Sequence, residues 1–148
     1  MDDAQLLRYS RHILLSELGP DAQERFASAH ALIVGMGGLG APAVQFLAAA
    51  GVGTLTICDA DHVDLTNLQR QILYATGDIG AAKVDAAAQR IAAINPEVRV
   101  ARIGRRVGPA ELAPLVAAAG VVLDCSDNFA TRHAVNAACV AARRPLVS

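Results

Sequence analysis

The feature that most constrains this chain is a glycine-rich turn between an apolar run and a helix. Residues 31–34, Ala-Leu-Ile-Val, are continuously apolar, and Gly35, Gly37 and Gly40 follow in the order G-x-G-x-x-G. In a strand–turn–helix context these glycines allow a tight turn, a close approach of backbone to phosphate, and close packing of the helix on the strand. The helix N-terminus beyond them favours an anion. The motif therefore predicts a nucleotide-binding domain.

The alternation of strand and helix patterns extends this prediction along the chain. The patterns predict strands at residues 31–34, 55–58, 98–103, 121–123 and 146–147, with helices over residues 40–50, 80–94, 109–119 and 129–142. Such alternation is typical of an α/β fold, in which a parallel sheet is covered by helices on both faces. We expect a Rossmann-like nucleotide-binding domain over residues 30–148.

The two ends of the chain differ from this pattern. Residues 1–29 are predicted to be a helical segment, with one helix over residues 3–18, a break at Gly19-Pro20, and a second helix over residues 21–29. The last four residues, Pro-Leu-Val-Ser, have the composition of a strand and not of a tail. We therefore expect the sheet to be truncated at residue 148, before its second half.

Composition excludes several classes of protein. The chain has 148 residues, 53% hydrophobic and 18% charged, which is typical of one globular domain. Its net charge of −1 provides no broad basic field, so neither nucleic acid nor an anionic membrane is an expected partner. The arginine pairs at residues 105–106 and 143–144 are interpreted as solvated surface.

Neither a membrane span nor a zinc site is expected. The apolar stretch over residues 31–53 is long enough to cross a membrane, but four glycines and a proline within its first twelve positions favour a strand, a turn and a helix. Because the acidic N-terminus does not resemble a signal peptide, we expect a cytoplasmic protein. Cys58, Cys125 and Cys139 form no C-x-x-C pair and are interpreted as buried apolar residues.

Polar residues follow the second predicted strand. Asp59 ends that strand, 24 positions after Gly35, where a carboxylate can hold ribose hydroxyls. At this point the pattern fits a dinucleotide-dependent dehydrogenase as well as an ATP-dependent enzyme.

The next residues favour a triphosphate with a metal ion. Asp61, Asn67, Gln69 and Arg70 supply carboxylate, carboxamide and guanidinium groups, and Lys83 lies near the start of the next predicted helix. The planar, multidentate guanidinium suits phosphate oxygens. A dehydrogenase needs few polar groups after its ribose carboxylate. The segment therefore favours an ATP site.

A second polar group follows the fourth predicted strand. Asp127 and Asn128 lie where the carboxyl end of that strand meets the other strand ends, at the edge where parallel sheets bind ligands. Asp127 is a candidate ligand for Mg²⁺. Either residue can also act as the N-cap of the following helix, and both roles can hold together.

Taken together, these motifs resemble those of the ThiF/MoeB/HesA family, relatives of the ubiquitin-activating enzymes. The resemblance covers essentially the whole chain. Its motifs, in order, are Arg8-Tyr9-Ser10-Arg11-His12, Gly35-Met36-Gly37-Gly38-Leu39-Gly40, Asp59-Ala60-Asp61, Asn67-Leu68-Gln69-Arg70-Gln71, Gly80-x-x-Lys83 and Asp124-Cys125-Ser126-Asp127-Asn128.

The resemblance implies a role for individual residues. Gly38 would let the backbone meet the phosphates, and Asp59 would bind the ribose. Asn67, Arg70 and Lys83 would hold the triphosphate. Asp127 would hold Mg²⁺, with Asn128 lining the nucleotide site. Arg11 would act across a homodimer interface on the ATP of the partner subunit.

The resemblance also implies an activity, which is the ATP-dependent adenylylation of the C-terminal Gly-Gly carboxylate of a ubiquitin-like sulfur-carrier protein. Family members usually continue past this length and carry paired C-x-x-C motifs for zinc, which this chain lacks. Two alternatives remain open at this point. One is the nucleotide-binding domain of an NAD(P)-dependent oxidoreductase, and the other is a non-catalytic dimerisation or docking module.

Overall fold

The computed structural model describes all 148 residues and contains one five-stranded parallel sheet. The strands are β1 (His30–Val34), β2 (Thr54–Cys58), β3 (Arg99–Ile103), β4 (Val121–Asp124) and β5 (Leu146–Val147). The helices are α1 (Asp3–Arg8), α2 (Ser10–Ile13), α3 (Gly19–Ser28), α4 (Gly40–Ala49), α5 (Lys83–Ile94), α6 (Pro109–Ala118) and α7 (Phe129–Ala142), with 3-10 turns at Leu65–Asn67 and Thr76–Asp78. The predicted α/β, Rossmann-like fold is confirmed.

The strands are arranged in the order β3-β2-β1-β4-β5. The chain moves outward from β1 to β3, then returns to the other side of β1 for β4 and β5. The order therefore reverses between β1 and β4, which is the place where open parallel sheets form a ligand crevice at their carboxyl ends.

The central strand β1 is buried on both faces. Ala31 and Ile33 belong to a core that α4 and α5 cover, whereas Leu32 and Val34 belong to a second core that α6 and α7 cover. The continuous apolar run in the sequence reflects this double burial, because a strand with one solvated face would alternate. None of the helices combines the length and the apolar character that a membrane crossing needs.

The prediction of one helix over residues 3–18 is wrong. The chain forms α1 and α2, leaves the helical conformation at Tyr9, and runs through turns before α3. Tyr9 is buried, and its hydroxyl accepts a hydrogen bond from Asn95 Nδ2 (2.8 Å) and donates to Glu97 Oε2 (3.3 Å). We attribute the break to this tertiary contact, because the local sequence pattern would allow the helix to continue through Tyr9.

Two other predicted boundaries shift. Gly19 and Pro20 begin α3 instead of only separating two helices, because proline is tolerated in the first turn of a helix. The helix predicted from residue 80 starts at Lys83, since Gly80 has a positive φ of 89° and Ala82 is extended.

The N-terminal segment packs at the edge of the sheet opposite the crevice. Tyr9 contacts Asn95, which follows α5, and the Gln23 side chain donates a hydrogen bond to the carbonyl of Ala50, which follows α4 (2.8 Å). Both positions precede strands, so they lie at the amino ends of β2 and β3. The N-terminal segment therefore lies at the opposite end of the sheet from the carboxyl ends of the strands.

Asn95 joins the N-terminal segment to the sheet domain, and its removal should destabilise the fold. Its fully buried Nδ2 also donates to the carbonyl of Ala48 (2.9 Å), so Asn95→Ala leaves buried groups without partners. We expect the free energy of unfolding in urea to fall by about 2 kcal/mol. Asn136→Ala, on the exposed face of α7, is the matched control and should change it by less than about 0.5 kcal/mol. Equal effects of the two substitutions would contradict this account.

Candidate functional site

A cavity of about 500 Å³ lies at the carboxyl ends of the strands, a size typical of small-molecule sites. It is formed by the glycine turn after β1, the ends of β2, β3 and β4 with the loops that follow them, and the first residue of α5. Most of the predicted site residues line it, namely Gly35, Gly37, Gly38, Asp59, Asp61, Asn67, Arg70, Lys83, Asp127 and Asn128. Gly40, Gln69 and Arg11 do not.

The glycines of the turn have two different roles. Gly35 has a φ of 99°, and a Cβ there would lie 2.6 Å from the carbonyl oxygen of Cys125. A Cβ at Gly40 would overlap the carbonyl of Gly35, so this glycine lets α4 begin directly against the turn. By contrast, Gly38 has open space around it and Gly37 has only ordinary contacts. Gly37 and Gly38 therefore leave room for a ligand.

Asp59 supports the turn from below. Its Oδ2 accepts a hydrogen bond from the main-chain N–H of Met36 and its Oδ1 from that of Asp61, each at 2.7 Å. Each carboxylate oxygen can accept a second hydrogen bond. Asp59 can therefore hold the turn and still accept hydrogen bonds from the hydroxyls of a ribose.

Lys83 is the first residue of α5 and is only 5% exposed. Its ammonium group lies 3.4 Å from Oδ2 of Asp61, which is itself largely exposed. Buried lysines are rare and need compensating partners. Because this ammonium group has three donors and one partner in the chain, it can donate further hydrogen bonds to an anion in the cavity.

The 3-10 turn at residues 65–67 orients Asn67. Oδ1 of Asn67 accepts from the N–H of Asp64 (3.1 Å), while Asp64 accepts from the N–H and the hydroxyl of Thr66. Hydrogen bonds from the Thr66 hydroxyl and N–H lower the pKa of Asp64. The Nδ2 group of Asn67 stays available to the cavity.

Arg70 continues the same segment and is exposed. Its guanidinium makes one hydrogen bond in the chain, from Nη1 to the carbonyl of Thr66 (3.0 Å). It forms no ion pair with a carboxylate of the chain, so it can pair with an anion.

The two polar residues in the loop after β4 have different roles. Asn128 is the N-cap of α7, with its Oδ1 accepting from the N–H of Thr131 (2.9 Å). Asp127 is exposed and its carboxylate takes no partner in the chain. No group of three or more histidine, cysteine, aspartate or glutamate side chains comes together as a metal site. A cation here would therefore need oxygens from a ligand or from water as well as from Asp127.

Two residues that line the cavity are not among the predicted site residues. Arg105 and Arg106, interpreted as solvated surface, line the cavity from the loop after β3. Arg105 forms an ion pair with Glu111, whose pKa is lowered by the N–H of Gly108 and by this arginine. Their position directly after a predicted strand is the signal that could have identified them, because the carboxyl ends of β1, β2 and β4 also lie at the cavity.

Gln71 ends the family motif at residues 67–71 and is not among the predicted site residues. It is buried at the cavity wall, and its Oε1 has no hydrogen-bond partner.

Arg11 lies outside the cavity of its own chain. It is exposed on α2, in the N-terminal segment that packs at the opposite edge of the sheet. It therefore cannot act on a ligand bound to its own chain in this arrangement.

The cysteines near the cavity are poor nucleophiles at neutral pH. Burial raises the pKa of Cys58 to about 12 and that of Cys125 to about 11. Since thiol reactivity depends on the thiolate, both side chains remain protonated and unreactive at neutral pH.

Alkylation measures this directly. At pH 8 we expect iodoacetamide to modify Cys125 about 100-fold more slowly in the folded chain than in urea, because its thiolate fraction is lower by that factor. In the folded chain the rate of Cys125 modification should rise about tenfold per pH unit between pH 8 and pH 10. Mass spectrometry of peptides from timed samples gives both rates. Equal rates in folded and unfolded protein would contradict the raised pKa.

The sequence is similar to those of proteins of known function. The sequence matches the ThiF family model over residues 9–148. It is 47% identical over 148 residues to the sulfur carrier protein ThiS adenylyltransferase of Escherichia coli and 46% identical to the molybdopterin-synthase adenylyltransferase of that organism. Each alignment covers 100% of this chain and 59% of the relative, so this chain spans less than two thirds of their length.

A solved structure is similar throughout. It is the E. coli tRNA N6-threonylcarbamoyladenosine dehydratase, TcdA, in complex with ATP, with a TM-score of 0.91 at 36% identity. The match covers 98% of this chain and 59% of that one.

Proposed function

This chain belongs to the ThiF family, and on that premise we propose that it is the nucleotide-binding part of an ATP-dependent adenylyltransferase. Its substrate would be the C-terminal Gly-Gly carboxylate of a ubiquitin-like sulfur-carrier protein. The observation that carries the proposal is the single cavity that combines an open glycine turn with Asn67, Arg70, Lys83 and Asp127. These groups suit the phosphates of ATP.

The proposed reaction is an attack of the carrier's carboxylate on the α-phosphorus of ATP. The bond from the α-phosphorus to the oxygen that bridges it to the β-phosphorus breaks, which leaves an acyl-adenylate and pyrophosphate. A C-terminal carboxyl group has a pKa of about 3.3–3.7, so the nucleophile is ionised at neutral pH and needs no general base. Catalysis would then consist of positioning and charge stabilisation.

Arg70 and Lys83 are the residues that would stabilise the leaving group. Arg70 is free of carboxylate partners, and the ammonium group of Lys83 has one partner for three donors. Both can therefore take up the negative charge that develops on pyrophosphate. Arg106, which lines the cavity from the loop after β3, adds a further positive charge without a partner in the chain.

Asp127 would hold Mg²⁺. Its carboxylate is exposed at the cavity, lacks a partner in the chain, and is a hard oxygen ligand. Mg²⁺ in nucleotide sites is commonly bound by one or two carboxylates together with phosphate oxygens and water, which fits a single aspartate. The ion would neutralise phosphate charge.

Arg11 supports the proposal of a homodimer. The residue is exposed at the edge of the sheet remote from its own cavity, so a role on ATP requires the cavity of a second subunit. Leu7 and Leu14 on the same N-terminal segment are 78% and 76% exposed and could be covered by that subunit. In a two-fold dimer each segment would reach the other cavity.

The substrate proposal extends to carriers of the thiamine, molybdopterin or cysteine biosynthesis type. Relatives named for the first two are almost equally similar, at 47% and 46% identity. These identities exceed the 36% identity to the tRNA N6-threonylcarbamoyladenosine dehydratase, which favours a sulfur-carrier protein as the substrate.

Isotope exchange between pyrophosphate and ATP tests the proposed reaction. The full-length protein should catalyse it only with a carrier ending in Gly-Gly. Arg70→Ala should slow it by about 100-fold, as expected for the loss of about 3 kcal/mol of transition-state stabilisation. Arg25→Ala, an exposed arginine on α3, is the matched control and should retain the wild-type rate. If no carrier supports exchange, or if both variants behave alike, the assignment fails.

Calorimetric titration separates this function from that of an oxidoreductase. We expect the chain to bind Mg-ATP and to show no comparable heat with NADH. Arg70 and Lys83 offer positive charge for phosphate groups, whereas a nicotinamide ring would need an apolar pocket. Tight NADH binding without a response to Mg-ATP would favour the oxidoreductase instead.

A further inference from the structure

Tyr74 lies behind the glycine turn, outside the cavity. Its hydroxyl donates a hydrogen bond to the main-chain carbonyl of Met36 at 2.7 Å. Tyr74 is 5% exposed and Met36 is fully buried, so the bond is shielded from water. Nothing else in the chain donates to this carbonyl.

Met36 is therefore held from two directions by residues of different elements. Its N–H is bound by Asp59 at the end of β2 and its carbonyl by Tyr74, which follows the segment containing Asn67 and Arg70. The peptide groups on both sides of Met36 cannot rotate without breaking one of these two short hydrogen bonds.

The orientation of the next N–H follows from peptide geometry. All peptide bonds in the chain are trans, and in a planar trans peptide the carbonyl and the N–H point in opposite directions. Because Tyr74 draws the carbonyl of Met36 into the core, the N–H of Gly37 points away from the core. Gly37 lines the cavity, and its N–H has no partner in the chain.

We propose that Tyr74 is a positioning residue that presents the Gly37 N–H to a phosphate group of the bound nucleotide. The inference rests on the proposed nucleotide site and assigns a residue that acts on it without touching the ligand. An unpaired, preoriented N–H group is a good partner for an anion because no reorganisation is needed when the anion binds.

The protonation state of Tyr74 suits this role. Burial raises the pKa of its hydroxyl, and the negative charges of Asp59 and Asp78 raise it further. The phenol therefore remains a neutral donor at neutral pH.

The test compares AMP with adenosine, which differ by one phosphate group. Tyr74→Phe deletes only the hydroxyl that binds Met36. We expect it to weaken AMP binding about 10-fold in calorimetric titration while adenosine affinity changes by less than about twofold. The matched control is Tyr9→Phe, because Tyr9 is the only other tyrosine, is also buried with a hydrogen-bonded hydroxyl, and lies at the opposite edge of the sheet. It should leave both affinities unchanged.

The outcomes decide between phosphate positioning and general stabilisation. Equal losses of AMP and adenosine affinity in Tyr74→Phe would show a structural role only and overturn the inference, as would an unchanged AMP affinity. Binding of none of ATP, AMP or adenosine by the unmodified chain would instead refute the nucleotide site and the proposed function with it.

A second measurement needs no variant and so does not depend on whether Tyr74→Phe folds. In amide NMR spectra of the unmodified chain, the Gly37 amide proton should move downfield on addition of AMP and not on addition of adenosine. Gly77, in an open turn away from the cavity, is the reference and should not move. A Gly37 amide that responds to both ligands alike, or to neither, would contradict a hydrogen bond to phosphate.

Discussion

The main chain of Gly35 passes so close to Cys125 and to Gly40 that neither glycine position can hold a side chain. This contact joins the end of β1 to the loop after β4 on one side and to the start of α4 on the other. The place where the strand order reverses is therefore also a place where the backbone is tightly packed. The cavity, the free surface of Gly37 and Gly38, and the orientation of α4 all depend on it.

The polar and charged side chains around the cavity differ in how many partners they have within the chain. Asp59 is occupied by two main-chain N–H groups, Lys83 is buried against Asp61, and Asn128 caps α7. The groups nearest to solvent, Arg70 and Asp127, have few partners or none. Asp59 and Asn128 thus hold the site together, whereas Arg70, Asp127 and the remaining donors of Lys83 are free for a ligand. This division suits a site that binds a highly charged ligand by filling vacant donors and acceptors.

The arrangement of α1 and α2 shows where sequence reasoning fails. The apolar spacing over residues 3–18 fits one helix, but the Tyr9 hydroxyl finds Asn95 and Glu97, about ninety positions away. Such a contact leaves no local pattern in the sequence. Arg105 and Arg106 differ from Tyr9, because their position directly after a predicted strand is a local signal, although their place at the cavity depends on where β3 lies in the sheet.

The sequence alone predicts the α/β class, the parallel sheet, the turn after β1 and the candidates Asp59, Asn67, Arg70, Lys83 and Asp127. It could do so because strand and helix periods, glycine spacing and residue chemistry are local properties that short segments express directly. The packing of the folded chain decided that Arg11 lies at the remote edge of the sheet and that Gly40 serves packing. It also decided that Tyr74 holds the Met36 carbonyl. Those outcomes depend on which distant segments meet, and that is settled by the strand order and by the burial of hydrogen-bonding groups that must find partners inside the fold.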